Sequence, residues 1–365
     1  MTNAIFGRRA LLATALAAAT AAVVPFDAAR AADFSGKTIE WIIPFKEGGG
    51  SDRWARFYAP LLAPNLPGSP TIVVKNVPGG GSTKGANQFT QRARPDGLTI
   101  LGTSGSTQFP YLLGDKRVKY EYKDWNVVLA TPTGGVVYLS PKLGVNSAAD
   151  LGKLADADLK YGSQGATSLD LVPLLAFEML GLNVKAVFGM KGRGAGRLAF
   201  ERGETSIDYQ TSSAYLSKVT PLVQEGKAVP IMSWGALDDD GNLTRDPTFP
   251  DLPHFAEVYE MLKGEKPSGP SFEAWKAFFT AGFPAQKMVF LPKGTPDDVV
   301  EAYRAAVRKT ISAPDFAESA KKVLGAYEQS TDGDAEAKFK LATEVSPDAK
   351  EWVRSWLTNK YNVSF

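Results

Sequence analysis

Four times along this chain a short β-rich run ends in a loop of glycines and hydroxyls, and a helical stretch follows. The loops are residues 44–52 (PFKEGGGSD), 76–83 (NVPGGGST), 102–108 (GTSGSTQ) and 161–168 (YGSQGATS). Each ingredient has a physical use. Glycine lets the backbone come close to another group. Serine or aspartate at the end of such a loop caps the helix that follows, and Asp52 reads as a cap of this kind. The first turn of that helix offers unpaired N–H groups and the positive end of a dipole, which suit a carboxylate. One such loop is an ordinary capped turn. Four of one chemical character point to a shared cleft.

The runs between the loops set the fold class. Residues 38–44, 71–76 and 98–103 read as strands, with helices over 52–63 and 82–94. Farther on, 159–163, 184–188, 206–210 and 229–234 read as strands, and 168–180 as the largest helix among them. This alternation predicts parallel sheets with helices on both faces, and a ligand outside the carboxyl ends of the strands. At 365 residues the chain is too long for one typical core and suits two domains. Residues 236–270, rich in Asp, Pro and Gly, read as a long surface excursion, and 296–361 as mostly helical.

Composition removes several classes of function. The chain has no cysteine and a single histidine, His254. Disulfides, thiolate metal sites, a cysteine nucleophile and a lipid-modified N-terminal cysteine are excluded, and one histidine cannot build the usual zinc sites. A net charge of +2 without a lysine- or arginine-dense stretch argues against nucleic acid as a partner. At the N-terminus, Arg8 and Arg9 precede an apolar run and then Ala29-Arg30-Ala31, the pattern of a signal peptide cleaved near Ala31. The apolar run falls short of the roughly 20 residues of a membrane-spanning helix. A soluble periplasmic protein is expected, exported by the general secretory or the twin-arginine route, because residues 6–12 (FGRRALL) match the latter signal only in part.

Specific pieces sharpen this reading. They are Ile43-Pro44-Phe45 with Gly48, Gly49 and Asp52, then Ala55-Arg56, Val73-Val74-Lys75-Asn76, Pro78-Gly79-Gly80-Gly81, Gly85-Ala86 and residues 94–101 (RPDGLTIL). In order and spacing they resemble the substrate-binding proteins of tripartite tricarboxylate transporters, the Bug proteins. Weaker similarity runs through 120–124, 161–168, Lys191-Gly192, 203–208 and the helical tail. The resemblance implies a two-lobed α/β Venus flytrap of the type II-like periplasmic binding class, each lobe a sheet flanked by helices. After a signal peptide over 1–31, lobe 1 is expected over 32–125 with 236–365, and lobe 2 over 126–235. It further implies a small organic mono- or dicarboxylate as ligand, no cofactor or metal, and a monomer that delivers its cargo to membrane permease subunits. Carried over by position, the contacts are Phe45, Gly48, Gly49, Ser51, Gly81, Ser82, Thr103, Ser104, Gly165, Thr167 and Ser168.

Departures from the family bear on which acid is bound. Val77 stands where the family commonly has arginine, residues 165–168 (GATS) where it often reads G-x-G-S, and Leu171 where a histidine is common. Residues 236–284 are also longer than the usual connection. Tyr209, Tyr215 and Trp234 either pack in the core or favour an aromatic acid. Lys191 is read as an exposed lysine or a contact from the rim, Arg193 and Arg197 as solvated charges, and residues 238–242 (DDDGN) as a solvated turn. His254 reads as a surface histidine. No nucleophile motif accompanies it, since 102–106 (GTSGS) fails the G-x-S-x-G elbow at its last position. Residues 36–38 (GKT) lack the glycine a P-loop needs five positions earlier. A transport receptor is therefore expected. A sensor that signals to a membrane kinase is the alternative, and an enzyme acting on a small acid is a third reading that the motifs oppose.

Overall fold

The computed structural model describes residues 1–2, 32–238 and 240–365, and the expected export signal with its cleavage point lies outside them. The β-branched and aromatic runs form strands. In chain order these are β1 (Thr38–Ile43), β2 (Thr71–Asn76), β3 (Thr99–Gly102), β4 (Asn126–Thr131), β5 (Gly135–Leu139) and β6 (Leu159–Gly162). They continue with β7 (Val184–Val187), β8 (Ile207–Thr211), β9 (Val229–Ser233), the short β10 (Ala236–Leu237) and β11 (Leu243–Thr244), and β12 (Lys287–Leu291).

Two five-stranded sheets result, in the orders β2-β1-β3-β12-β4 and β7-β6-β8-β5-β9. They share one plan. Three parallel strands are followed by an antiparallel one and then by a fifth. Four strands in each sheet thus run in one direction, and the expectation of parallel sheets fails at one strand, β12 or β5. The antiparallel member arrives from the other sheet: β5 follows β4 directly, and β12 returns after the second sheet is complete. A strand that enters this way is free of the βαβ crossover that forces parallel direction. The sheet division falls between Thr131 and Gly135, with β4 in the first sheet.

Each sheet is buried on both faces. On one side of the first lie Trp41 and Trp54, fully buried, with edge-to-face rings 5.2 Å apart. On the other lie Phe89, Trp125 and Phe290. The second sheet rests on helix Leu171–Leu180, which is buried almost all round, as its unbroken apolar sequence demands. Helices Phe255–Lys263 and Gly269–Gly282 pack into this same core, with Phe255, Trp275 and Phe278 wholly buried. Within the expected surface excursion, 236–270, Phe255 and Val258 reach this core, and most of the remaining residues are exposed or half-buried. The β10–β11 hairpin lies at the surface, with Asp238 accepting from the backbone N–H groups of Asp240 and Asn242. The tail folds as helices Asp297–Ile311, Phe316–Val323, Asp332–Ala342 and Pro347–Tyr361. Among the described residues no helix is long and apolar enough to cross a membrane.

Candidate functional site

The loops after β1, β2 and β3 face those after β6, β7 and β8, so the carboxyl ends of both sets of parallel strands meet. The first loop is held by Asp52. One of its carboxylate oxygens accepts from the Gly48 N–H at 3.0 Å, and the other accepts from Arg56 and Asn76. Asp52 is not the expected cap. It lies in the first turn of helix Gly50–Leu62, whose N-cap is Gly49 without a side-chain bond, and it ties the preceding loop to that turn. The helix N-terminus is turned to the cleft. In the second loop Gly79, Gly80 and Gly81 all take positive φ. Ser82 does so too, at φ 99°, a conformation that is costly for a residue with a side chain. Its hydroxyl donates to Thr107 Oγ1 at 2.9 Å. In the third loop Ser104 caps helix Gly105–Leu113 by accepting from the Ser106 N–H.

The lobes are drawn together by bonds between these loops. Lys46 N–H donates to the Lys191 carbonyl at 3.0 Å, and Leu169 N–H to Ser106 Oγ at 3.1 Å. Thr167 donates to Asp115 Oδ2 at 2.8 Å and accepts from Arg117 at 2.8 Å. Burial pushes the Asp115 carboxyl up, but the bonds from Arg117 and Thr167 and the charge of Arg117 outweigh it and hold the group below the ordinary range.

Two neighbouring spaces remain. The outer one has a volume of about 350 Å³ and is walled by Phe45, Gly81, Ser82, Arg117, Gly165 and Lys191, among others. That is the size of a small-molecule site. The inner one, of about 20 Å³, lies among Gly49, Ser51, Ser104, Ser106, Arg193 and Gln286. Phe45 and Gln164 border both.

Of the eleven expected contacts, Phe45, Gly49, Ser51, Gly81, Ser82, Ser104 and Gly165 line these spaces. The other four do not. Gly48 donates its N–H to Asp52, and Thr103 turns its hydroxyl toward Tyr122 and the Met288 carbonyl inside the first lobe. Thr167 is committed to Asp115, and Ser168 donates to the Gly165 carbonyl at 2.7 Å. Lys191 sits exposed on the outer rim.

Two readings of single residues need correction. Arg193 and Arg197 are not solvated: they are 6% and 9% exposed. The Arg193 guanidinium pairs with Asp170 and Asp208, donates to the Gly162 and Tyr209 carbonyls, and lies over the rings of Tyr161 and Tyr209. Glycines around Arg193 imitate a surface loop. The buried Asp208 and Gln210 on β8 were the signal that a cation had to reach them. His254 is not a free surface group either. Its Nδ1 accepts from the N–H groups of Ala256 and Glu257, capping helix Phe255–Lys263. Tyr209, Tyr215 and Trp234 are core residues. Sequence reasoning missed Gln164, Arg117 and Gln286 as lining residues. Gln286 gave no signal, because the strand it precedes was not read.

With this geometry in view, the likenesses to known proteins fall into one group. A family model described as the tripartite tricarboxylate transporter family receptor matches residues 62–346. A UPF0065 protein of Bordetella pertussis strain Tohama I is 30% identical over 308 residues, covering 82% of this chain and 84% of that protein. A second UPF0065 protein, from Pseudomonas sp. strain P51, is 28% identical over 328 residues, covering 87% and 85%. Among solved structures, the periplasmic binding protein BugD superposes with a TM-score of 0.66 at 24% identity, over 90% of this chain and 98% of that one. MatC from Rhodopseudomonas palustris with bound malate gives 0.66 at 21% identity, over 87% and 98%. An R. palustris protein with adipate gives 0.67 at 18%, over 91% and 99%. At such identities these structures speak for the fold alone.

Proposed function

The chain belongs to the tripartite tricarboxylate transporter receptor family, and from that premise we propose that it captures a small organic carboxylate between its lobes. The observation that carries this reading is the composition of the cleft: glycine N–H groups line a space of about 350 Å³, and helix N-termini and hydroxyls line the smaller one beside it. Such groups donate to an anion without a dedicated arginine–carboxylate pair. The structures that hold malate and adipate share this fold, which supports a mono- or dicarboxylate here. The contacts we assign are the seven lining residues of the expected set, with Ser106, Gln164 and Arg117 added. The lobes hinge in this reading where the chain crosses between sheets, between β4 and β5 and again ahead of β12.

The rest follows from the role. The protein acts in the periplasm after removal of residues 1–31, as a monomer, and hands its ligand to permease subunits without turning it over. Several amide and hydroxyl bonds to a carboxylate, at roughly 1.5–3 kcal/mol each before ordering costs, suffice for a micromolar receptor. Native mass spectrometry of the freshly purified protein, followed by thermal-shift titration with mono- and dicarboxylates, tests the proposal. A co-purified acid, or a carboxylate that raises Tm, supports it. A protein that responds to no carboxylate, or converts one, refutes it.

A further inference from the structure

Lys287, the first residue of β12, is 2% exposed, and among the described residues no carboxylate answers its charge. Its Nζ donates at 2.6 Å to the side-chain oxygen of Gln286, itself 2% exposed. Burial alone acts on the ammonium and lowers it to about 7. A buried cation without a counter-charge is expensive, and the expense makes sense where an anion arrives from outside.

The position of the pair fits that role. Lys287 is level with Thr131 on β4, and Val289 with Gly102 on β3. Continuing the second register carries Lys287 level with Ser104, at the carboxyl end of β3. Gln286 borders the inner space together with Ser51 and Ser104. An ammonium carries only donors, so the Gln286 atom facing it has to be Oε1. Nε2 is thereby turned away from Lys287, with both its protons free of the ammonium.

We propose that Gln286 and Lys287 form the inner anchor for the ligand's carboxylate, with Gln286 Nε2 donating to one carboxylate oxygen while Lys287 fixes the amide and supplies the positive charge behind it. This rests on the carboxylate reading above and adds the residues that recognise the head group. The inner space, about 20 Å³, admits one oxygen-sized group. The rest of the acid then occupies the outer space, so the anchor is common to acids of different length. Lys287 is a positioning residue in this scheme, and Gln286 is the contact.

Calorimetric titration of the purified protein with malate and with adipate, in two buffers of different ionisation enthalpy at pH 8, tests the assignment. Wild-type protein is expected to take up a proton as it binds, because the anion draws Lys287 back to its charged form. Lys287→Met, which replaces an unpaired buried charge with an apolar chain of similar length and so folds, is expected to bind about tenfold or more weakly and to take up no proton. Gln286→Glu is expected to weaken binding at least as much, since it neutralises Lys287 and faces the ligand with a like charge. Either variant binding with wild-type affinity and unchanged proton uptake overturns the inference while leaving the carboxylate reading intact. A wild-type protein that binds no mono- or dicarboxylate overturns the reading beneath it.

Discussion

At Arg193 a single side chain ties the second lobe's strands to its cleft. The guanidinium is fully enclosed. Burial works against its charge, and the carboxylates of Asp170 and Asp208 more than restore it. Removing the cation leaves two buried carboxylates facing each other's charge. Arg193→Met is expected to cost about 3–5 kcal/mol, read as a lower midpoint in urea unfolding. His254 makes a contrasting case. Its Nδ1 accepts two backbone N–H bonds and so has to be unprotonated, and burial lowers its affinity for a proton. The folded state then binds fewer protons than the unfolded chain near pH 6, so the cap contributes above the ordinary imidazole range and fades as pH falls through the folded value. His254→Ala is expected to lose about 1 kcal/mol at pH 7 and less at pH 5. Carboxylate affinity should stay within about twofold, because the histidine lines neither cavity. A large loss of binding would falsify the capping role.

Elements explain which parts of the fold were legible. β1, β2, β3 and β6 to β9 declare themselves, because short apolar, aromatic or β-branched runs of four to six residues end at glycine loops or turn residues. β4 and β5 do not, since NVVLAT and GVVYL are separated by only three residues and belong to different sheets. Pro132 and Gly134 between them mark a break, but nothing local to the sequence says that the two strands part to different sheets. β12 was hidden for another reason: it opens on Lys287, a residue that reads as solvent-facing. The cleft was legible as four loops, yet its inner floor was not, because Gln286 and Arg193 come from outside the glycine pattern. Loop closure depends on a close approach at Gly50, in the first turn of helix Gly50–Leu62. A Cβ there would lie 2.2 Å from Thr211 Oγ1 of the other lobe. Gly50→Ala is therefore expected to hold the lobes apart without unfolding either. Ligand affinity should fall about tenfold or more, and small-angle scattering with saturating acid should show no compaction. Normal compaction would mean that the lobes close by another path.

At the scale of the whole molecule, the unpaired Lys287 couples stability, pH and ligand. Its ammonium titrates at 10.5 in the unfolded chain and at about 7 in the folded one. Between those values the unfolded chain holds a proton that the folded protein lacks. Stability from this group therefore rises with pH across that window, by at most about 1.4 kcal/mol per pH unit. No other titratable group shifts Lys287, and its neighbours Gln286 and Thr131 carry no charge. Arg193, the cation that borders the inner space, is already answered by Asp170 and Asp208. Other groups titrate too, so the quantity to measure is the difference in unfolding free energy between wild type and Lys287→Met. At pH 7 the variant is expected to be the more stable, and the gap should narrow toward pH 9.5 as the wild-type chain is relieved of the proton. Saturating carboxylate should flatten the trend. An anion beside Lys287 keeps the folded protein protonated, as the unfolded chain is, so the bound wild type gains little stability as pH rises across that window. A gap independent of pH, with and without acid, would mean that Lys287 keeps an ordinary proton affinity and that its charge is answered by solvent.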